Sequence, residues 1–215
     1  MVLKTRHYLR VQSDLGECGA AAIHRHLLAH GMHTPPAIPT INRILRRCGA
    51  FDGHHRIRRP APPPGWYVPA VAAGRAELDQ FDVVSGLVIQ GGPEVEILTG
   101  ISLHGGLAVA WPREAITAAS SVADLLAHWR TVGLPEYAQF DNDLRFHGPH
   151  QYADVISAVV QLCLSVGVTP VFAPPRETGF QAAIESFNGR WQAKVWTRFH
   201  HVSLSALQDR SQRYV

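Results

Sequence analysis

A chain of 215 residues, 46% of them hydrophobic, can bury one core of roughly 100 to 150 residues plus a small appended module, and no more than two compact units. No apolar run approaches the roughly 18 to 20 residues of a membrane span, no signal h-region opens the chain, and Cys18, Cys48 and Cys163 form no CxxC pair, so neither a disulfide framework nor a zinc knuckle is indicated. The formal charge of +3 is unevenly spread: residues 1–74 carry ten Lys and Arg against three acids, and residues 75–215 ten against fourteen.

In chain order, helical spacing of Ala20, Ile23, Leu27 and Leu28 predicts a helix over 13–30, opened by the cap candidates Ser13 and Asp14 and closed by Gly31. After Pro35, Pro36 and Pro39, Thr40 is expected to cap a second helix, with Ile41, Ile44 and Leu45 inward and Arg43, Arg46 and Arg47 outward. Residues 1–52 therefore read as a small helix-turn-helix-like segment suited to DNA, whose phosphates would release counterions on meeting the arginines. An ordinary helical hairpin with a solvated basic face has the same signature. Residues 53–74 read as a basic, Pro-rich linker: Arg56, Arg58 and Arg59, then Pro60, Pro62, Pro63 and Pro64, with the arginines placed to lie along a DNA backbone.

From Arg75 the pattern changes to strands. Strands are expected over 76–84, 95–103 and 106–111, a helix over 120–131, a strand over 137–140, a helix over 151–166, a strand over 168–172 and a last helix over 180–199. Three strands joined by turns, then alternating helix and strand, make an α/β mixed sheet with helices on both faces, an order that fits a ribonuclease H-like architecture over 75–215.

Three acids sit where such a sheet can gather them. Asp79 lies in the first strand, Asp141 follows the strand 137–140, and Glu185 lies in the first turns of the last helix. Adjacent first and fourth strands with a helix crossing them would bring the three together. Clustered carboxylates raise one another's pKa unless a hard cation is shared, so Asp79, Asp141 and Glu185 are the candidate catalytic and metal-binding residues. Asp82 is the alternative first acid, and strand alternation points it to the opposite face from Asp79. Arg190 and Lys194, on the same helix as Glu185, are placed to hold substrate phosphates. The histidines have no cysteine partners at zinc-ligand spacing.

The run Val168 to Asn188, a strand, a proline-led loop and a helix whose Glu185 is followed by Phe187 and Asn188, resembles the third motif of bacterial insertion-sequence transposases and retroviral integrases. Phe140-Asp141-Asn142 resembles that family's Asp-Asn-Gly motif, and 97–112 looks like the strand pair after its first Asp. Three features depart from the pattern. Asp141 and Glu185 are separated by 43 residues, a surplus placed in 146–152; Asp143 stands where the family has Gly; and Gln181-Ala182 replace its Asn-Gly.

The resemblance implies a DNA strand-transfer enzyme using Mg²⁺ or Mn²⁺, working as a homo-oligomer on two DNA ends, without a membrane partner, in a bacterial-type cytoplasm and nucleoid-associated when bound to DNA. Family members usually extend further than Val215, so the alternative expectation is a truncated, inactive DNA-binding remnant. A nuclease of the same architecture acting on RNA is a third.

Overall fold

The computed structural model describes residues 1–14, 16–51, 65–148, 156–174 and 179–215, which divide into two units at Ala61. Arg56, Arg58, Arg59 and the loop 175–178 lie outside the described residues.

The first unit is three helices: α1 (Val2–Gln12), α2 (Ala20–Ala29) and α3 (Ile38–Arg47). Val2 and Leu9 from α1, Ala20, Ile23 and Leu27 from α2, and Ile41 and Leu45 from α3 form its core. Helix α1 was not expected, and the single helix over 13–30 is corrected. Ser13 ends α1 rather than opening α2, because its hydroxyl donates back to the Leu9 carbonyl (2.5 Å). Gly16, at φ +59°, then turns the chain and Gly19 precedes α2. Thr40 is likewise inside α3 and not its cap, since Pro39 occupies the first turn, where its missing N–H leaves no helical bond unmade. Arg6 closes the unit by donating to the carbonyls of Cys18 (3.0 Å) and Ala50 (2.8 Å).

The second unit begins with the short helix α4 (Pro69–Ala72), followed by β1 (Leu78–Val88), β2 (Glu94–Ser102), β3 (Ala108–Arg113), α5 (Ala118–Val132), β4 (Tyr137–Phe140), α6 (Leu144–His147), α7 (Ala158–Ser165), β5 (Thr169–Phe172), α8 (Ala182–Trp191) and α9 (Leu204–Tyr214). Helix α8 runs on into a π-helical turn, Gln192–Trp196. The strands form one sheet in the order β3-β2-β1-β4-β5, antiparallel from β3 to β1 and parallel from β1 to β5. This is the ribonuclease H-like mixed sheet expected from the order of elements.

Alternation along the strands splits the core in two. Phe81, Leu98, Ala138 and Phe140 pack on one face against Leu125 and Trp129 of α5 and Val159 and Cys163 of α7. Val84, Val95, Ile97 and Ala110 pack on the other against Trp191, Val195 and Leu207. Gly100 makes room for Phe81: a Cβ there would stand 2.6 Å from the ring and 2.9 Å from Val109 Cγ2. Residues 65–74, expected as linker, belong to this unit. Val71 is fully buried, and the Val71 carbonyl meets His104 Nε2 at 2.8 Å. No helix among the described residues is long and apolar enough to cross a membrane.

Candidate active site

The register of β1 against β4 decides which acids can meet. Gln80 pairs with Gln139, so Asp82 and Asp141, each two residues further along parallel strands, come level on the same face. That face is covered by α8. Asp82 Oδ2 accepts from Asn188 Nδ2 of α8 (2.7 Å) and its Oδ1 from the Val83 N–H (2.8 Å). Burial pushes the Asp82 carboxyl up to about 6, and the charges of Asp141 and Glu185 push the same way. Asp141 is also raised, chiefly by burial; its Oδ1 accepts from the Asp143 N–H (3.1 Å). Glu185 is exposed on the first turns of α8. Asp82, Asp141 and Glu185 thus share one neighbourhood.

Asp79, the acid expected in the first strand, lies on the other face of the sheet. It points to the α5 face, 3% exposed, where its Oδ2 accepts from the Trp129 indole N–H (3.1 Å) and lies 3.9 Å from His128 Nε2. Its pair on β4 is Ala138, three residues or roughly 10 Å short of Asp141. Burial pushes Asp79 up to about 6 and His128 down. On this face Asp79 meets indole and imidazole, and the charge that acts on it is that of Glu77 instead of Asp141 or Glu185.

Asp143, in the position where Gly was expected, caps α6 by accepting from the Arg145 N–H (2.8 Å). The Arg145 guanidinium grips both Asp143 oxygens (2.8 and 2.6 Å) and reaches Glu96 Oε1 of β2 (2.7 Å). A charged fork therefore holds the turn after Asp141 to the sheet. Helix α6 occupies part of the stretch 146–152 expected as an insertion; residues 149–155 lie outside the described ones.

Beneath the acids lie two buried amides. Gln80 Nε2 donates to Gln139 Oε1 (2.7 Å), and both amide nitrogens lie within reach of the Phe180 carbonyl (3.3 and 3.2 Å). Gln80 Oε1 accepts from the Ile184 N–H (3.1 Å), and the Tyr67 hydroxyl donates to Gln139 Oε1. The Tyr67 ring stacks on Phe180 at 3.6 Å between centroids.

Sequence reading noted Asn188 as part of a motif without giving it a role, and gave none to Gln80 or Gln139. Asn188 stands three residues from Glu185, hence on the same side of a helix. The glutamines each precede an acid by two in an apolar strand, and a polar residue in an apolar run is the informative exception. Asn188 is 7% exposed and its Oδ1 is buried with no hydrogen-bond partner among the described residues. Of the expected DNA-contacting residues, Arg43, Arg46 and Arg47 line the exposed side of α3, Arg190 is exposed on α8 and donates to the Ser186 carbonyl (3.1 Å), and Lys194 lies half-buried in the π turn.

No family model matches the sequence. No curated protein matches it either. Solved structures do share its fold. A chain of the simian T-cell lymphotropic virus intasome, solved in complex with PP2A regulatory subunit B56 gamma, is similar over 98% of this chain and 66% of its own, at 16% identity and a TM-score of 0.51. This chain thus spans slightly less than two thirds of that one. The HTLV-2 integrase catalytic core domain in complex with magnesium is similar in its dimeric form (62% of this chain, 81% of that one, 13% identity, TM-score 0.44) and in its trimeric form (71%, 85%, 12%, 0.44). At these identities the likeness is one of fold.

Proposed function

We propose that this chain is a metal-dependent polynucleotidyl transferase of the transposase and integrase kind, acting on DNA, with Asp82, Asp141 and Glu185 as its carboxylates. The observation that carries the reading is the register that levels Asp82 with Asp141 beneath α8, with the charge of Glu185 also acting on Asp82. A buried Asp82 carboxyl crowded by the charges of Asp141 and Glu185 belongs to an all-oxygen donor set of the hard kind that suits Mg²⁺ or Mn²⁺. A divalent ion held there would lower the pKa of a water or 3′ hydroxyl and neutralise charge on the phosphodiester under attack.

The chain's own residues do the rest. Asn188 fixes the rotamer of Asp82, the Arg145 fork holds the turn that carries Asp141, and Glu185 reaches in from α8. Arg190 and Lys194 follow Glu185 on the same helical segment and hold substrate phosphates; Arg43, Arg46 and Arg47 of α3, and Arg56, Arg58 and Arg59 later in the sequence, bind the DNA backbone. Two DNA ends need two such sites, hence a homo-oligomer.

One observation favours a second reading, a DNA-binding relative without activity: among the described residues, no three His, Cys, Asp or Glu side chains stand close enough to cage an ion. Under the first reading exposed Glu185 must swing inward when the ion binds. Cleavage and joining of labelled DNA in Mn²⁺, wild type against Glu185→Gln, separates the two. Loss of activity in a folded variant supports the carboxylate mechanism; DNA binding with no activity in either protein supports the second. The same assay on RNA–DNA hybrids tests for a nuclease of RNA.

A further inference from the structure

Two glutamines are buried side by side in the centre of the sheet, Gln80 at 2% and Gln139 at 0% exposure, and burying an amide is unfavourable unless its hydrogen bonds are met. Here they are met by the other glutamine, by Tyr67 and by the start of α8. The first N–H groups of a helix have no partner within it, and no side chain of α8 itself caps this one. Gln80 Oε1 takes the Ile184 N–H from below, and the two side-chain amides converge on the carbonyl of Phe180, two residues before the helix. Tyr67 closes the arrangement from the chain entering the unit, with its hydroxyl on Gln139 and its ring on Phe180.

We infer that Gln80, Gln139 and Tyr67 are positioning residues that set where α8 starts over the sheet, and so where Glu185 stands relative to Asp82 and Asp141. The inference rests on the carboxylate reading above. Its geometry is specific: Ile184, whose N–H is held, directly precedes Glu185, and the glutamines precede Asp82 and Asp141 by two residues on their strands. One hydrogen-bonded pair of amides thereby ties all three acids to a common frame. Residues 65–74 become part of the site's support, since Tyr67 is supplied by them.

The test uses the full chain and three variants. Gln80→Met keeps the side chain's shape but loses its hydrogen bonds; Tyr67→Phe removes the hydroxyl alone and guards against a Gln80→Met protein that fails to fold; Val159→Ala loosens the opposite core as a stability-matched control. Mn²⁺ binding, by titration calorimetry, and amide exchange at Ile184 are measured on each. Expected are a loss of Mn²⁺ affinity of about 10-fold or more in Gln80→Met and a smaller loss in Tyr67→Phe, as for other residues that orient ligands. Faster exchange at Ile184 should accompany both, with neither change in Val159→Ala. Unchanged Mn²⁺ affinity and Ile184 exchange in Gln80→Met, or in Tyr67→Phe if only that variant folds, overturn the inference. So does a loss of affinity in Val159→Ala equal to theirs. If wild type binds Mn²⁺ no better than Asp82→Asn, the carboxylate reading itself falls, and Ile184 exchange then reports separately whether the amides hold α8.

Discussion

Asp82 in β1 and Asp141 just past the end of β4 come level, each two residues beyond a member of the buried Gln80–Gln139 pair. Asp82→Asn should reduce DNA cleavage by on the order of 10³ or more, the several kcal/mol that metal-assisted charge stabilisation supplies. In EDTA the same variant should melt higher than wild type, because a buried carboxylate crowded by Asp141 and Glu185 is replaced by a neutral amide. Cleavage assays paired with thermal melts check both. An Asp82→Asn protein as active as wild type would remove Asp82 from the mechanism.

Asp79 should resemble Asp82 in its effect on melting and differ from it in its effect on cleavage. Its folded-state pKa, pushed up to about 6 by burial, lies above the ordinary value of 3.8, so folding disfavours its ionised form. That unfavourable contribution is complete above about pH 6, shrinks as the pH falls from 6 towards 3.8, and vanishes below 3.8, where the carboxyl becomes protonated in both states. Asp79→Asn keeps an oxygen for the Trp129 indole and should raise the melting temperature at pH 8, by less at pH 5, while leaving DNA cleavage within a few-fold of wild type. Melting curves across this pH range decide it, and a gain that grows on acidification would contradict the burial argument.

Arg145 is enclosed by Asp143 and Glu96, its side chain 24% exposed. Arg145→Met leaves both carboxylates without their partner and frees the turn that carries Asp141. We expect a destabilisation of about 2 kcal/mol, between the values for exposed and buried ion pairs, measured by urea denaturation. A change below about 0.5 kcal/mol would place the fork among surface pairs that contribute little.

The arginines of α3 face solvent together. Replacing Arg43, Arg46 and Arg47 by Ala should weaken DNA binding similarly for unrelated sequences, and flatten the dependence of log K on log salt by about one for each phosphate no longer neutralised. Fluorescence anisotropy at several salt concentrations checks this; an unaltered slope would show that α3 does not meet the backbone.

Much of the second unit is legible from sequence because its signals are local. Gly and Pro punctuate the strands, β4 is read at 137–140 as found, and the order of elements alone yields the mixed sheet. The motif around Phe140-Asp141 and Glu185 marks a strand end and a helix start, and both stand there. Helices α1 and α9 are harder to see, since each buries only two or three side chains and the rest of their residues are polar. Helix α9 is held by partners distant in sequence, Gln208 to the Pro112 carbonyl (2.9 Å) and Trp191 to Ser211 (3.3 Å).

The choice between Asp79 and Asp82 belongs to the tertiary structure. Both acids lie in one strand, and a period of two says only that they face opposite ways. Which way is inward to the site depends on β4 pairing Gln139 with Gln80, and on Trp129 taking one face of the sheet while α8 takes the other. Composition and pattern determined by themselves that the five strands and the helices α5, α7 and α8 would come in this order, with acids near their ends. Register and helix placement are made by partners 50 to 104 residues away, such as Trp129 for Asp79 and Ile184 for Gln80, and no local pattern encodes them.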